Sequence, residues 1–64
     1  METIFEKYFE NLADARAAAA AKDEELKQNF SCYFCVSVWD AAEDRHFENG
    51  RFCRYVVIAD IWPE

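Results

Sequence analysis

FSCYFCVSVW, residues 30–39, sets Phe30, Cys32, Phe34, Val36 and Val38 against Ser31, Tyr33, Cys35, Ser37 and Trp39. Period-two alternation with aromatic and β-branched side chains is the pattern of a β-strand. Residues 51–62 repeat it. Phe52, Val56, Ile58 and Trp62 fall on one face, and Cys53, Tyr55, Val57, Ala59 and Ile61 on the other. Pro63 ends that strand, because proline donates nothing to a ladder.

Upstream the period changes. Residues 1–28 hold no Gly or Pro and are dense in helix formers. Met1, Phe5, Tyr8, Leu12, Ala15, Ala19 and Leu26 recur at steps that build one apolar stripe on a helix. Thr3 with Glu6 fits a capping box, and Asn29 fits a helix C-terminus. These patterns predict a helix over about 4–28. The segment 41–48 allows two readings. Asn49-Gly50 between Phe47 and Phe52 signals a type I′ hairpin, which makes 45–48 a short strand in a three-strand meander. Asp40 with Glu43 and then Gly50 would instead bracket a two-turn helix. We favour the hairpin. Either connection is too short to return the chain along a long strand, so the long strands are expected to be antiparallel. The predicted fold is α+β: one long N-terminal helix packed on a small antiparallel sheet of two or three strands, in a single domain, 1–64.

The 64 residues, 53% of them hydrophobic and 17% aromatic, argue against disorder. A chain of this length buries only about 60% of its unfolded surface, so a two-domain catalytic cleft is excluded. Thirteen acids against 7 bases give a net charge of -6, which opposes direct binding to nucleic acid or an anionic membrane. No stretch reaches the roughly 20 apolar residues of a membrane span. The Met-Glu-Thr-Ile-Phe-Glu-Lys start has no basic and apolar leader, so a cytoplasmic location is expected. No phosphate loop, nucleophile elbow or His-Glu-x-x-His motif occurs, so neither an enzyme nor a cofactor is expected.

Two features point to a binding function. Glu2, Glu6, Glu10 and Asp14 stand at four-residue spacing, one row about 6 Å apart on a helix. Like charges so placed repel, and a basic partner would compensate them. An acidic row can stand in for backbone phosphates in the groove of a nucleic-acid-binding protein. The plainer reading is a solvated face. Small size and acidity are shared with anti-defence inhibitors of phages and mobile elements, an analogy without a shared motif. The second feature is the sheet. One helix covers one face, whereas both strands carry large apolar groups on both. Tyr33, Trp39 and Trp62 would lie on the uncovered face, and a homodimer closed over that face is expected, with another partner or cover by the 40s segment as the alternatives. The leading expectation is an inhibitor acting through the acidic row. The alternative is an assembly subunit acting through the sheet face.

Cys32, Cys35, His46 and Cys53 could ligate zinc, with His46 opposite Cys53 in the hairpin register. However, Cys32 and Cys35 point to opposite faces of a strand, which makes a poor zinc knuckle. Buried, inert thiols are the expectation, with a zinc module as the second alternative. Three cysteines do not make a disulfide framework.

Overall fold

The computed structural model describes residues 1–29 and 32–63. Its elements are β1 (Glu2–Phe9), α1 (Leu12–Asn29), β2 (Tyr33–Asp40), β3 (Phe47–Glu48), β4 (Arg51–Phe52) and β5 (Tyr55–Trp62), with a 3₁₀ turn at Ala42–Asp44. The fold is α+β. One helix lies on a three-stranded sheet of order β1-β5-β2, antiparallel throughout, and β3 and β4 form a separate hairpin.

The helix expected over 4–28 begins only at Leu12, and residues 2–9 are a strand instead. Thr3, Ile4, Phe5, Tyr8 and Phe9 favour extended backbone, and Phe5, Lys7 and Phe9 alternate with Glu6 and Tyr8. The stripe Phe5-Tyr8-Leu12 satisfied helical spacing by coincidence. Tertiary pairing decided the matter: β5 carries apolar groups on both faces and gains a neighbour on each side by taking β1 as well as β2. The third strand is therefore β1, not the 45–48 segment of a meander.

Helix α1 starts at Asn11, not Thr3. The Asp14 amide donates to Asn11 Oδ1 at 2.9 Å, and Asn11 Nδ2 donates to Asp14 Oδ2 at 3.0 Å. One side chain thus satisfies an orphan helix amide and also holds the carboxylate that favours the helix N-terminus. At the other end Asn29 Nδ2 donates to the Glu25 carbonyl at 2.8 Å, so Asn29 closes the helix as its sequence position implies. Eighteen helical residues span about 27 Å and eight strand residues about 26 Å, so α1 matches the strands it covers.

The register assigns the faces. Val57, Ala59 and Ile61 of β5 stand beside Val38, Val36 and Phe34 of β2, and Val57 and Ala59 stand beside Lys7 and Phe5 of β1. This is the side under α1, where Ala15, Leu26, Val57 and Ala59 are buried. Lys22 lies over the Phe5 ring, 4.4 Å from its centroid.

The predicted strand 51–62 is broken at Cys53-Arg54. The Cys53 amide donates to the His46 carbonyl at 2.8 Å, and the Ala41 amide donates to the Arg54 carbonyl at 2.6 Å. The chain passes there from the hairpin to the main sheet. The hairpin itself is as the Asn-Gly signal implies: Asn49 and Gly50 have φ of 53° and 78°, as a type I′ turn requires. Strand β5 ends at Trp62, before Pro63. Strand β2 begins at Tyr33, and residues 30–31 of the expected 30–39 strand lie outside the described residues. Among the described residues, no helix is long and apolar enough to cross a membrane.

Candidate functional site

The acidic row does not form. Glu2 and Glu6 lie on β1, Glu10 lies in the connection to α1, and Asp14 lies in the first helical turn. Glu2 pairs with Ile61 and Glu6 with Ile58, and a bulge between Thr3 and Phe5 separates them. Ile61 and Ile58 point to opposite faces of β5, so Glu2 and Glu6 do too. Glu10 reaches Arg51 at 3.6 Å, and Asp14 is held by Asn11. These four carboxylates therefore share no helix face, because the first half of the row is extended chain.

The sheet residues come together. Tyr33 and Trp39 of β2 and Trp62 of β5 share the face turned away from α1, and they are 69%, 59% and 39% exposed. Tyr33 packs against Trp62 with ring centroids 5.0 Å apart and planes tilted by 47°. Trp39, six residues and about 20 Å along β2, donates its indole N–H to Ser37 Oγ at 2.8 Å. Aromatic groups thus stand at both ends of the face, with Cys35, Ser37, Ile58 and Asp60 between them.

The 41–54 segment covers one end of this face only. There His46 stacks on Tyr8, with ring centroids 3.7 Å apart and planes 16° from parallel, and Val56 is buried. His46 Nε2 lies 2.9 Å from a Glu48 carboxylate oxygen. Partial burial, then the Glu6 and Asp44 carboxylates, hold the Tyr8 phenol above its ordinary pKa of 10.0.

Two residues of the open face escaped the sequence reading. A helical period puts Glu6 in the row with Glu2, Glu10 and Asp14, and no spacing singles out Asp60. The Thr3 hydroxyl donates to Asp60 Oδ1 at 2.6 Å, which draws β1 and β5 together on that side. The alternation of Glu6 and Tyr8 with Phe5, Lys7 and Phe9 was the available signal. Following the register, the residues that β1, β5 and β2 turn to this side include the carboxylates Glu6 and Asp60 and no Lys or Arg.

The cysteines are dispersed. Cys35 is exposed on the open face, Cys53 is buried behind the hairpin and Cys32 is partly buried before β2. Of the three thiols expected to be buried, Cys53 alone is buried. Among the described residues, no group of three His, Cys, Asp or Glu side chains is placed to hold a metal ion.

No protein-family model matches the chain, and neither a curated protein nor a solved structure matches it.

Proposed function

We propose that this protein is a non-catalytic binding protein whose open sheet face takes a cationic surface of a partner protein. One observation carries the reading: exposed Tyr33, Trp39 and Trp62 share a face with Glu6 and Asp60, and the three strands turn no Lys or Arg to it. Aromatic rings attract guanidinium and ammonium groups through their faces, and carboxylates pair with the same groups. Tryptophan and tyrosine are also the residues that anchor interfaces. The net charge of -6 steers a basic partner toward the molecule from a distance. Arginine- and lysine-lined grooves of nucleic-acid-binding proteins have this chemistry. The proposed role is to occupy such a groove and inhibit its owner, in the cytoplasm (of the host, if the chain is phage-encoded).

The test is affinity capture from the native lysate with three baits: wild type, Asp60→Lys combined with Trp62→Ala, and Glu10→Lys. The reading expects one basic, nucleic-acid-binding partner on the wild type and on Glu10→Lys, released by salt and lost from the double variant. A partner kept by the double variant and lost from Glu10→Lys would move the site off the sheet face. A partner without a cationic surface would end the reading.

A further inference from the structure

A three-stranded sheet has two edges, and in this molecule they are guarded unequally. Strand β1 carries Glu2, Glu6 and Lys7 and is bulged between Thr3 and Phe5. Charges and bulges are the devices that keep an edge from pairing. Strand β2 has no bulge, and its one charge, Asp40, stands at its last residue, paired with Arg54. From Tyr33 to Trp39 it contains no charged residue and no proline, and its register with β5 runs without a break.

The hydrogen-bond directions of β2 follow from one contact. Ala41 donates its amide to the Arg54 carbonyl and continues the register in which Asp40 stands opposite Tyr55. In an antiparallel ladder, bonded and non-bonded pairs alternate. Tyr33, Cys35, Ser37 and Trp39 therefore bond to β5. The amides and carbonyls of Phe34, Val36 and Val38 point out of the sheet edge.

We infer that β2 pairs edge to edge with β2 of a second copy of this chain, antiparallel about a two-fold axis at Val36, making one six-stranded sheet. Between Tyr33 and Trp39 this register pairs each outward group: Phe34 with Val38 of the second copy, Val36 with its own counterpart and Val38 with Phe34. On the open face it sets Tyr33 beside the second copy's Trp39 and Cys35 beside its Ser37. Cross-strand aromatic pairs of this kind stabilise a sheet. Shifting the axis to Ser37 would instead set Asp40 against Phe34. Charge selects this edge as well. A chain of net charge -6 repels its copy, and pairing through β1 would add Glu2 and Glu6 to the seam, whereas the β2 seam is neutral from Tyr33 to Trp39. The flanks of Phe34, Val36 and Val38, only partly buried in one chain, would be covered by the second. The inference rests on the edge and is independent of what the open face binds.

Sedimentation velocity and amide hydrogen exchange test it together. Wild-type protein is expected to sediment at twice the 7.5 kDa of one chain. The Phe34, Val36 and Val38 amides should be protected, while the outward amides of Glu6 and Tyr8 on β1 exchange freely. Val36→Pro removes an outward amide and no bond to β5, so it should weaken self-association about tenfold or more while the fold persists. A wild type that stays monomeric, β2 amides that exchange as fast as those of Glu6 and Tyr8, or a Val36→Pro dimer of unchanged strength would each overturn the inference. If Val36→Pro does not fold, Ser37→Cys decides. The proposed register brings it opposite the second copy's Cys35, and mild oxidation should yield a covalent dimer. Failure to crosslink would reject the register.

Discussion

Asp40 and Arg54 form a forked ion pair at the point where the chain leaves β2 and returns to β5. Arg54 Nη2 donates to Asp40 Oδ2 at 2.8 Å and Nε donates to Oδ1 at 3.2 Å, while the Ala42 amide donates to Oδ1 at 3.0 Å. The Arg54 hydrogen bonds, then the Ala42 amide, hold the Asp40 carboxyl below its ordinary 3.8. A carboxylate whose pKa is lowered by folding stabilises the fold above its unfolded value. That contribution disappears as pH falls through the lowered folded value. The stability difference between wild type and Asp40→Asn should therefore be constant above pH 3.8 and shrink below it. Urea midpoints of both proteins across acid pH measure this. Parallel profiles would show that the pair does not couple to folding. Both partners are half exposed, so the effect should also weaken in high salt.

The start of α1 gives a second test, because two residues compete for the role of cap. Asn11→Ala should cost about 1 kcal/mol, or about 4–8 °C in Tm for a domain of this size. Thr3→Val should leave the helix start untouched and lose only the bond to Asp60 across β1 and β5. Thermal melts compare the two, and amide exchange at Asp14 and Ala15, which donate to Asn11, separates them. Loss of protection there in Thr3→Val would contradict the assignment of Asn11.

These residues also show how much could be read in advance. The alternation of Phe34 to Val38, the Asn49-Gly50 turn, the stop at Pro63 and the end at Asn29 were legible, because each is set by local geometry that few sequences mimic. So was the exposure of Tyr33, Trp39 and Trp62, since it needs only strand parity and one helix. The strand at residues 2–9 was not. Phe5, Tyr8 and Leu12 satisfy a helical period while Phe5, Lys7 and Phe9 satisfy a strand period. The deciding energy lies in β5, fifty residues away. A helical period over residues 2–9 keeps Glu6 away from Asp60, whereas the strand sets both on one face.

The hairpin turn yields a third prediction. Gly50 has φ of 78°, and a Cβ placed there would meet nothing within 4 Å. Substitution by Ala therefore adds no clash and costs only the left-handed backbone, about 1–2 kcal/mol. The hairpin joins the main sheet through Cys53 and Arg54, so the damage should stay local. Exchange at the Phe47–Phe52 amides should quicken while β5 amides keep their protection. A global loss of stability larger than this would mean that the hairpin is integral to the main core.

Leu26 sets the limit of what the core can lose. It is 2% exposed, one of the two largest fully buried side chains with Val57, and it lies in the helical turn over the far end of the sheet. Much of the rest of α1 that faces the sheet is alanine, which buries little apolar area per residue. Leu26→Ala should cost about 2–5 kcal/mol. A single core in a chain this short rarely supplies more than about 3–5 kcal/mol, so the variant should be largely unfolded at 37 °C unless something else holds the fold. Pairing through β2 would do so, since association adds stability that rises with protein concentration. The Leu26→Ala melting temperature should then climb as concentration is raised, and the climb should vanish when Val36→Pro is added. A melting temperature indifferent to concentration in Leu26→Ala would leave the helix and three strands of one chain as the whole source of stability.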